Sequence, residues 1–373
     1  MKIAFVIHSM VGGGAERVTA NLANAWSGRG WEVTILTLAA RSMDAYAFNP
    51  GVRRIALNAA GESASPVSAI AANLRRVWAI RRALRQVSPD VVLAMMTTAN
   101  VLALLAVCGT RIPVVVSERV YPPMLPVGRA WAALRRWTYP RARAVVALTI
   151  ENARWLEQNC PGSRTTVIPN PVPWPLPDGE PRLSPAGTLA DGCRLLLAVG
   201  RLVPQKGFDS LLNAFARLAS ANPDWHLVIV GEGQDRLALE TQRARMGLEG
   251  RVHLPGHVGN IRDWYARADL FVLSSRFEGF PNVLAEAMAS GCPAVSFDCD
   301  TGPRDIIRSG IDGLLVPLKE GSSGLADGMC ELICDDERRH VMALRATEVR
   351  ERLSQPHILQ LWEDLFDDIA RHD

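Results

Sequence analysis

Residues Leu270–Phe297 read LFVLSSRFEGFPNVLAEAMASGCPAVSF, and the order of residue types in this stretch decides the fold. Leu270 to Leu273 is a short, wholly apolar run, the pattern of a strand buried on both faces. After a loop, Leu284 and Met288 repeat at helical spacing toward a core, and Gly291 closes the helix. Ala294 to Phe297 is a second apolar run. Strand, helix and strand in succession mark a parallel sheet covered by helices. Pro281 fits the first helical position, where a missing N–H costs nothing. Glu286 then lies in the second turn and Glu278 in the entering loop. On one continuous helix, eight residues at about 100° each would leave the two carboxylates off-register. They meet a common ligand only because Glu278 precedes the helix. The free N–H groups of that helix start attract an anion such as a phosphate. Two solvated glutamates beside an ordinary helix cap fit the same residues.

The alternation extends in both directions. Toward the N-terminus, apolar runs fall at Lys2 to Ile7, Glu32 to Leu38, Val91 to Met95, Val114 to Ser117, Val145 to Leu148 and Thr166 to Ile168, with a helix from about Ala15. A second set runs through Leu195 to Val199, Leu227 to Val230, Val252 to Leu254, Leu270 to Leu273, Ala294 to Phe297 and Gly313 to Val316. Between them, residues 169–185 hold seven of the 24 prolines, a density that forbids both helix and sheet ladder. Two Rossmann-like α/β halves joined by a proline-rich linker follow, in keeping with a length of 373 residues. At the C-terminus, Ile358, Leu361, Trp362, Leu365 and Phe366 recur at helical spacing, so an amphipathic helix packs on one of the domains.

Hydrophobic residues at 48% and charged residues at 21% are ordinary globular composition. No stretch approaches the ~18 consecutive apolar residues of a membrane span, and the N-terminal run reads as a buried strand rather than a signal peptide, so the expected location is cytoplasmic. Seven cysteines with no C-x-x-C give neither a disulfide framework nor a zinc site; Cys330 and Cys334, four apart, read as packing thiols. The net charge of +3 conceals an asymmetry: residues 1–173 carry +12 and the remainder −9. Only the first half is suited to a polyanion or an anionic membrane.

Two loops carry further chemistry. Val11-Gly12-Gly13-Gly14-Ala15-Glu16-Arg17 follows the first strand and opens the first helix. Its glycines permit close backbone approach to a ligand or simply tight packing. The spacing matches neither the dinucleotide fingerprint nor the P-loop. Gly200-Arg201-Leu202-Val203-Pro204-Gln205-Lys206-Gly207-Phe208 opens the second half. Its two cations, a planar fork and a compact point charge, suit a diphosphate. The chain uses lysine only at positions 2, 206 and 319, so Lys206 stands out against an arginine background.

Together these stretches resemble the retaining glycosyltransferases of family four, and the resemblance covers most of the chain. It rests on Gly12-Gly13-Gly14-Ala15-Glu16-Arg17, Ile168-Pro169-Asn170-Pro171, Gly200-Arg201 with Lys206-Gly207, the Glu278 to Glu286 run, and Ile311-Asp312-Gly313-Leu314-Leu315-Val316. It implies the GT-B fold: two Rossmann-like domains with parallel sheets facing across a cleft. The acceptor domain would span residues 1–170, the linker 171–193, the donor nucleotide-sugar domain 194–354 and the C-terminal helix 355–373. By the same resemblance Arg201 and Lys206 hold the donor diphosphate, and Glu286 takes the ribose hydroxyls. Glu278, with the Gly279 and Phe280 amides, meets the transferred sugar, while Asn282 joins the donor-binding set. Gly13 and Gly14 would cover the diphosphate from the other domain. No cofactor and no metal are implied, the nucleotide-sugar being a substrate. One departure stands out. Where many family members carry a histidine near the reacting carbon, this chain reads Val116-Ser117-Glu118-Arg119, and His8 lies at the end of the first strand instead. Glu118 is the acceptor-side candidate, as base or hydrogen-bond partner; an ion pair with a nearby arginine is its alternative use. Retention needs no protein base where the leaving phosphate takes the acceptor's proton.

On the acceptor side, residues 73–85 hold five arginines and no acid, with Leu74, Val77, Ile80 and Leu84 as the expected buried stripe. Residues 119–143 add six more arginines among Tyr121, Trp131, Trp137 and Tyr139. Cations among aromatics suit a membrane interface or a lipid diphosphate, a single-stranded nucleic acid, or no partner at all on a solvated face. The expectation is a hexosyltransferase, peripheral on the cytoplasmic face of the inner membrane. It would move a sugar, UDP-linked, to a lipid-linked saccharide for cell-surface glycan synthesis, with no nucleic acid as partner. A small soluble acceptor such as a sugar phosphate, and a noncatalytic membrane- or RNA-binding module, are the alternatives.

Overall fold

The structure, a computed structural model, describes residues 1–61, 65–190 and 192–371. Asp191 of the expected linker, Glu62 to Ala64, and the last two residues of the stretch 355–373 expected as a C-terminal helix lie outside the described residues. The chain divides into two compact units, Met1–Asn170 with Ile358–Asp373, and Pro171–His357.

The first unit is built on a seven-stranded parallel sheet. Its strands are β1 (Lys2–Ile7), β2 (Glu32–Thr37), β3 (Val52–Ala56), β4 (Val91–Met95), β5 (Val114–Ser117), β6 (Ala144–Ala147) and β7 (Thr165–Val167), in the order β3-β2-β1-β4-β5-β6-β7. In the centre, Phe5 pairs with Ile35 on one side and Leu93 on the other. Strands covered on both faces must be apolar, and β4 and β6 are so throughout, β1 and β5 all but Lys2 and Ser117 at one end. The edge strand β3 is absent from the expectations above, because its sequence Val-Arg-Arg-Ile-Ala breaks the apolar run. An edge tolerates charge, and Arg54 is neutralised there by Asp44 at 2.7 Å while donating to the Ile35 carbonyl at 3.0 Å.

The Gln355–Arg371 helix returns to this first unit. Its buried residues are Ile358, Leu359, Trp362 and Phe366. Phe366 packs on the edge of Trp26 with ring centroids 5.5 Å apart, and Trp26 stacks on Trp31 at 5.2 Å. Glu363 accepts from Trp26 Nε1 at 3.0 Å and pairs with Arg29 at 2.5 Å. The helix is acidic, so its return lowers the first unit's net charge from +12 to +8.

The second unit holds β8 (Arg194–Val199), β9 (Trp225–Val230), β10 (Val252–Gly256), β11 (Leu270–Leu273), β12 (Ala294–Asp298) and β13 (Gly313–Pro317), all parallel, in the order β10-β9-β8-β11-β12-β13. The proline-rich stretch is not a free tether. Leu176 and Leu189 are buried, the Leu183 carbonyl accepts from Asn260 Nδ2 at 3.1 Å and Trp264 Nε1 at 3.0 Å, and Val172 N–H bonds to Leu353 at 2.8 Å. A chain without helix or ladder must still satisfy its backbone, and it does so against the second unit.

Two expected helix details change. Pro281 caps the Asn282–Ala289 helix from outside rather than occupying its first turn. Leu74 is not part of the buried stripe of the Pro66–Val87 helix but 65% exposed; Ile80, Ala83, Leu84 and Val87 make the buried face.

Candidate active site

Sheet order places the site in the second unit. Strands β9 and β10 lie to one side of β8, and β11, β12 and β13 to the other, so the order reverses between β8 and β11. Loops leaving the C-terminal ends of two such neighbours run to opposite faces and leave a crevice between them. The β8 loop contributes Gly200 to Gly207 and leads into the Phe208–Leu218 helix; the β11 loop contributes Ser274 to Pro281 and leads into the Asn282–Ala289 helix.

Glycine lets the two loops touch. Gly207 has φ +62°, and a Cβ there would meet the Ser274 carbonyl oxygen at 2.2 Å. The loops are tied by Ser274 Oγ donating to the Lys206 carbonyl at 2.8 Å, Arg276 N–H to Gln205 at 2.8 Å and Gln205 Nε2 to Phe277 at 3.0 Å. Across this seam Lys206 Nζ meets Glu278 Oε1 at 2.5 Å, with side chains only 14% and 6% exposed. Ser275 Oγ donates to the same carboxylate oxygen at 2.6 Å, and Thr301 Oγ1 holds the Glu278 carbonyl. From the β12 loop, Gly302 at φ +99° closes on Pro281, whose Cδ would lie 2.6 Å from an added Cβ. Glu286, buried one turn into its helix, accepts from the buried Tyr265 hydroxyl at 3.3 Å.

Lys206 and Glu278, assigned separately to diphosphate and sugar from the sequence, are therefore one buried ion pair. Lysine carries three N–H donors, so an anion can share the ammonium with Glu278. Arg201, on the same loop, is exposed, and its guanidinium makes no hydrogen bond or ion pair among the described residues. Gly279, Phe280 and Asn282 line the step from loop to helix, with Phe280 buried and Asn282 N–H bonded to the Phe280 carbonyl at 3.0 Å. Among the described residues no cluster of three or more His, Cys, Asp or Glu is arranged to hold a metal ion.

Sequence reasoning missed Tyr265, Ser275, Thr301 and Gly302. The Gly302-Pro303 pair is a turn signal that marks the β12 loop; Tyr265 carries no local signal, since it is recruited from the Ile261–Arg267 helix by packing on Phe271.

In the first unit the order reverses between β1 and β4, and the Gly12–Gly14 loop leaves β1 at that point. Gly12 has φ +122°, Gly13 caps the first helix and accepts from Tyr46 at 2.9 Å, and Gly14 is the first helical residue. Glu118 is not an open acceptor-side group. It is fully buried, accepting from Thr97 Oγ1 at 2.9 and 3.0 Å and from the Tyr139 hydroxyl, which Asn100 Nδ2 supports at 2.9 Å. Burial raises its pKa above the usual carboxylate range, opposed by the Tyr139 bond. Nor does it pair with Arg119. So enclosed, the carboxylate ties the ends of β4 and β5 together.

Two α/β units on parallel sheets, the second carrying the Lys206–Glu278 pair at its switch point, have the GT-B fold of a class of glycosyltransferases. The chain belongs to that family: residues 13–171 match the family described as glycosyl transferase 4-like domain, and residues 193–335 match glycosyl transferases group 1. It is 33% identical over 299 residues to an exopolysaccharide phosphotransferase of Streptomyces coelicolor, covering 79% of this chain but only 30% of that protein. It is 28% identical, over 99% of both chains, to the "GalNAc-alpha-(1->4)-GalNAc-alpha-(1->3)-diNAcBac-PP-undecaprenol alpha-1,4-N-acetyl-D-galactosaminyltransferase" of Campylobacter jejuni. Among solved structures it is similar to Anabaena Alr3699/HepE in complex with UDP, with TM-score 0.79 and 22% identity over 99% of this chain and 100% of that one.

Proposed function

We propose that this enzyme moves a hexose from a UDP-sugar to a lipid-linked saccharide at an anionic membrane surface, with retention of anomeric configuration and without a metal ion. The observation that carries the donor half is the Lys206–Glu278 pair at the β8/β11 switch point, with Glu286 held by Tyr265 on the next helix. As the bond from sugar to diphosphate breaks, negative charge grows on the leaving oxygens. The ammonium of Lys206, already oriented by Glu278, and the guanidinium of Arg201 answer that charge without reorganising, which is where preorganised electrostatics lowers a barrier most. Two protein cations then take the part that a divalent ion plays elsewhere. Glu286 offers a carboxylate to ribose hydroxyls, and Glu278 with the Gly279 and Phe280 amides receives the sugar. The undecaprenol-linked substrate in the name of the Campylobacter relative supports the lipid-linked acceptor. The UDP bound to the Anabaena structure supports the nucleotide.

The membrane half rests on the Pro66–Val87 helix. Val67, Ile70, Leu74 and Trp78 are 78, 64, 65 and 62% exposed and, at spacings of three and four, share one face. Arg82 lies over Trp78 at 5.5 Å, with Arg75 and Arg85 also exposed. An apolar stripe flanked by arginines suits the headgroup boundary of an anionic bilayer. Among the described residues no helix is long and apolar enough to cross a membrane.

Incubating the enzyme with a panel of radiolabelled UDP-sugars and detergent-solubilised lipid-linked saccharides tests the whole reading. Label transferred to the lipid fraction in the presence of EDTA, with the product's anomeric coupling matching the donor's, is the expected result. Transfer only to soluble sugar phosphates, or only with added divalent ion, would overturn the corresponding part.

A further inference from the structure

Arg119 is a buried cation with no counter-charge among the described residues. It lies two residues beyond the end of β5 and is only 7% exposed. Two neutral oxygens face its guanidinium: Ser117 Oγ, at 3.3 Å from Nη1, and Asn170 Oδ1, which accepts from Nη2. Its Nε–H is buried with no partner. The adjacent carboxylate, Glu118, is turned toward Thr97 and Tyr139. Burial alone pulls the Arg119 pKa down to about 9, which leaves the group charged at neutral pH. Placing an uncompensated guanidinium out of water is costly, and removing the counter-charge of a buried ion is among the most destabilising changes a fold meets. A second feature lies beside it. Met96, at the end of the neighbouring strand β4, has φ +77° and donates its N–H to the Ser117 carbonyl at 3.0 Å. A non-glycine residue held in that region stores strain, and such strain collects at ligand sites.

We propose that Arg119 binds an oxyanion of the acceptor, a phosphate or a carboxylate, through the edge formed by Nε–H and its neighbouring terminal N–H. Arginine has five donors. The two bonds named above use one hydrogen on each terminal nitrogen, which leaves three donors, the buried Nε–H among them, to meet the oxygens of one anion. Glu118, locked by Thr97 and Tyr139, positions the strand end that carries Arg119 and does not neutralise it. The existence of the anion site is independent of the glycosyltransferase reading; calling the anion the acceptor's rests on it.

The test uses the full chain saturated with UDP, so that the Arg201–Lys206 clamp is occupied. Methyl phosphate, pyrophosphate and glucuronate are titrated by calorimetry into the wild type, Arg119→Lys and Arg119→Met. The wild type should bind at least one probe, and the probe bound tells phosphate from carboxylate. The methionine variant should weaken that binding about tenfold or more, while UDP affinity stays within about twofold. Lysine, lacking the fork, should restore only part of the loss. Absence of binding to the wild type, or equal binding by the methionine variant, overturns the proposal. Should UDP fail to bind the wild type, the donor reading falls and the probe titration still judges Arg119. If the methionine variant does not fold, the Nε–H resonance of Arg119 in ¹⁵N-arginine protein, identified by its absence from the lysine variant, must shift with the probe; a resonance that stays in place overturns the proposal equally.

Discussion

Replacing Lys206 with methionine separates what the buried pair does for stability from what it does for the reaction. Lys206 Nζ and Glu278 Oε1 are 2.5 Å apart, and both side chains are largely withdrawn from solvent. Methionine keeps most of the lysine stem's volume but removes the charge, leaving the Glu278 carboxylate with Ser275 as its named donor. Stranding one member of a buried pair costs about 3–5 kcal/mol, and the few hydrogen-bonding neighbours here give no reason to expect the low end. Replacing both partners by apolar residues of similar volume is often neutral. Lys206→Met with Glu278→Leu should therefore recover most of the stability lost by Lys206→Met alone, while transfer stays impaired by about 10²-fold or more, the effect of losing a preorganised charge at a leaving group. Urea unfolding of the second unit, followed by tryptophan fluorescence, reports the first quantity; the rate of label transfer under donor saturation reports the second. A Lys206→Met enzyme that loses less than about 1 kcal/mol and turns over at the wild-type rate would refute the reasoning at both levels, since neither a buried pair nor a charge clamp could then be present.

Tyr265→Phe should weaken UDP binding by the modest cost of one hydrogen bond, about 0.5–1.5 kcal/mol by calorimetry, with transfer at saturation unchanged. Phe366→Ala, which opens a cavity against Trp26, should cost about 3–5 kcal/mol in the unfolding of the first unit and leave that of the second in place, as read by calorimetry. Acid should weaken the second unit through His226 and His253, whose rings stack with Nδ1 and Nε2 3.1 Å apart. Burial lowers both below the ordinary 6.5, helped for His226 by Arg251 and for His253 by His226. Below about pH 6.5 the unfolded chain takes up protons that the folded pair refuses. Stability is then level above neutrality and falls as pH drops through that value toward the folded pKa values, a slope that His226→Phe with His253→Phe should flatten in urea midpoints measured across pH.

What the amino-acid sequence determined alone is whatever depends on neighbours along the chain. Apolar runs such as Leu195 to Val199 announce strands buried on both faces because they are too short for a helix and alternate with helical patterns. The Glu278 to Glu286 run and Lys206 were legible because loop, cap and helix spacing place them without knowledge of the rest of the fold. The tertiary structure decided what depends on partners distant in sequence. Strand β3 exists because an edge beside β2 accepts Arg53 and Arg54, which read locally as a break. Leu74 is exposed because it shares the outer face of its helix with Val67, Ile70 and Trp78, away from the buried Ile80, Ala83 and Leu84. The C-terminal helix could have packed on either unit by its periodicity; Trp26 and Arg29, more than three hundred residues away, supply the partners for Phe366 and Glu363. Most telling is Val116-Ser117-Glu118-Arg119, where the acid attracted the functional assignment. Desolvation is a property of the folded neighbourhood, and there Thr97 and Tyr139 satisfy Glu118 while Arg119, among the described residues, has no counter-ion.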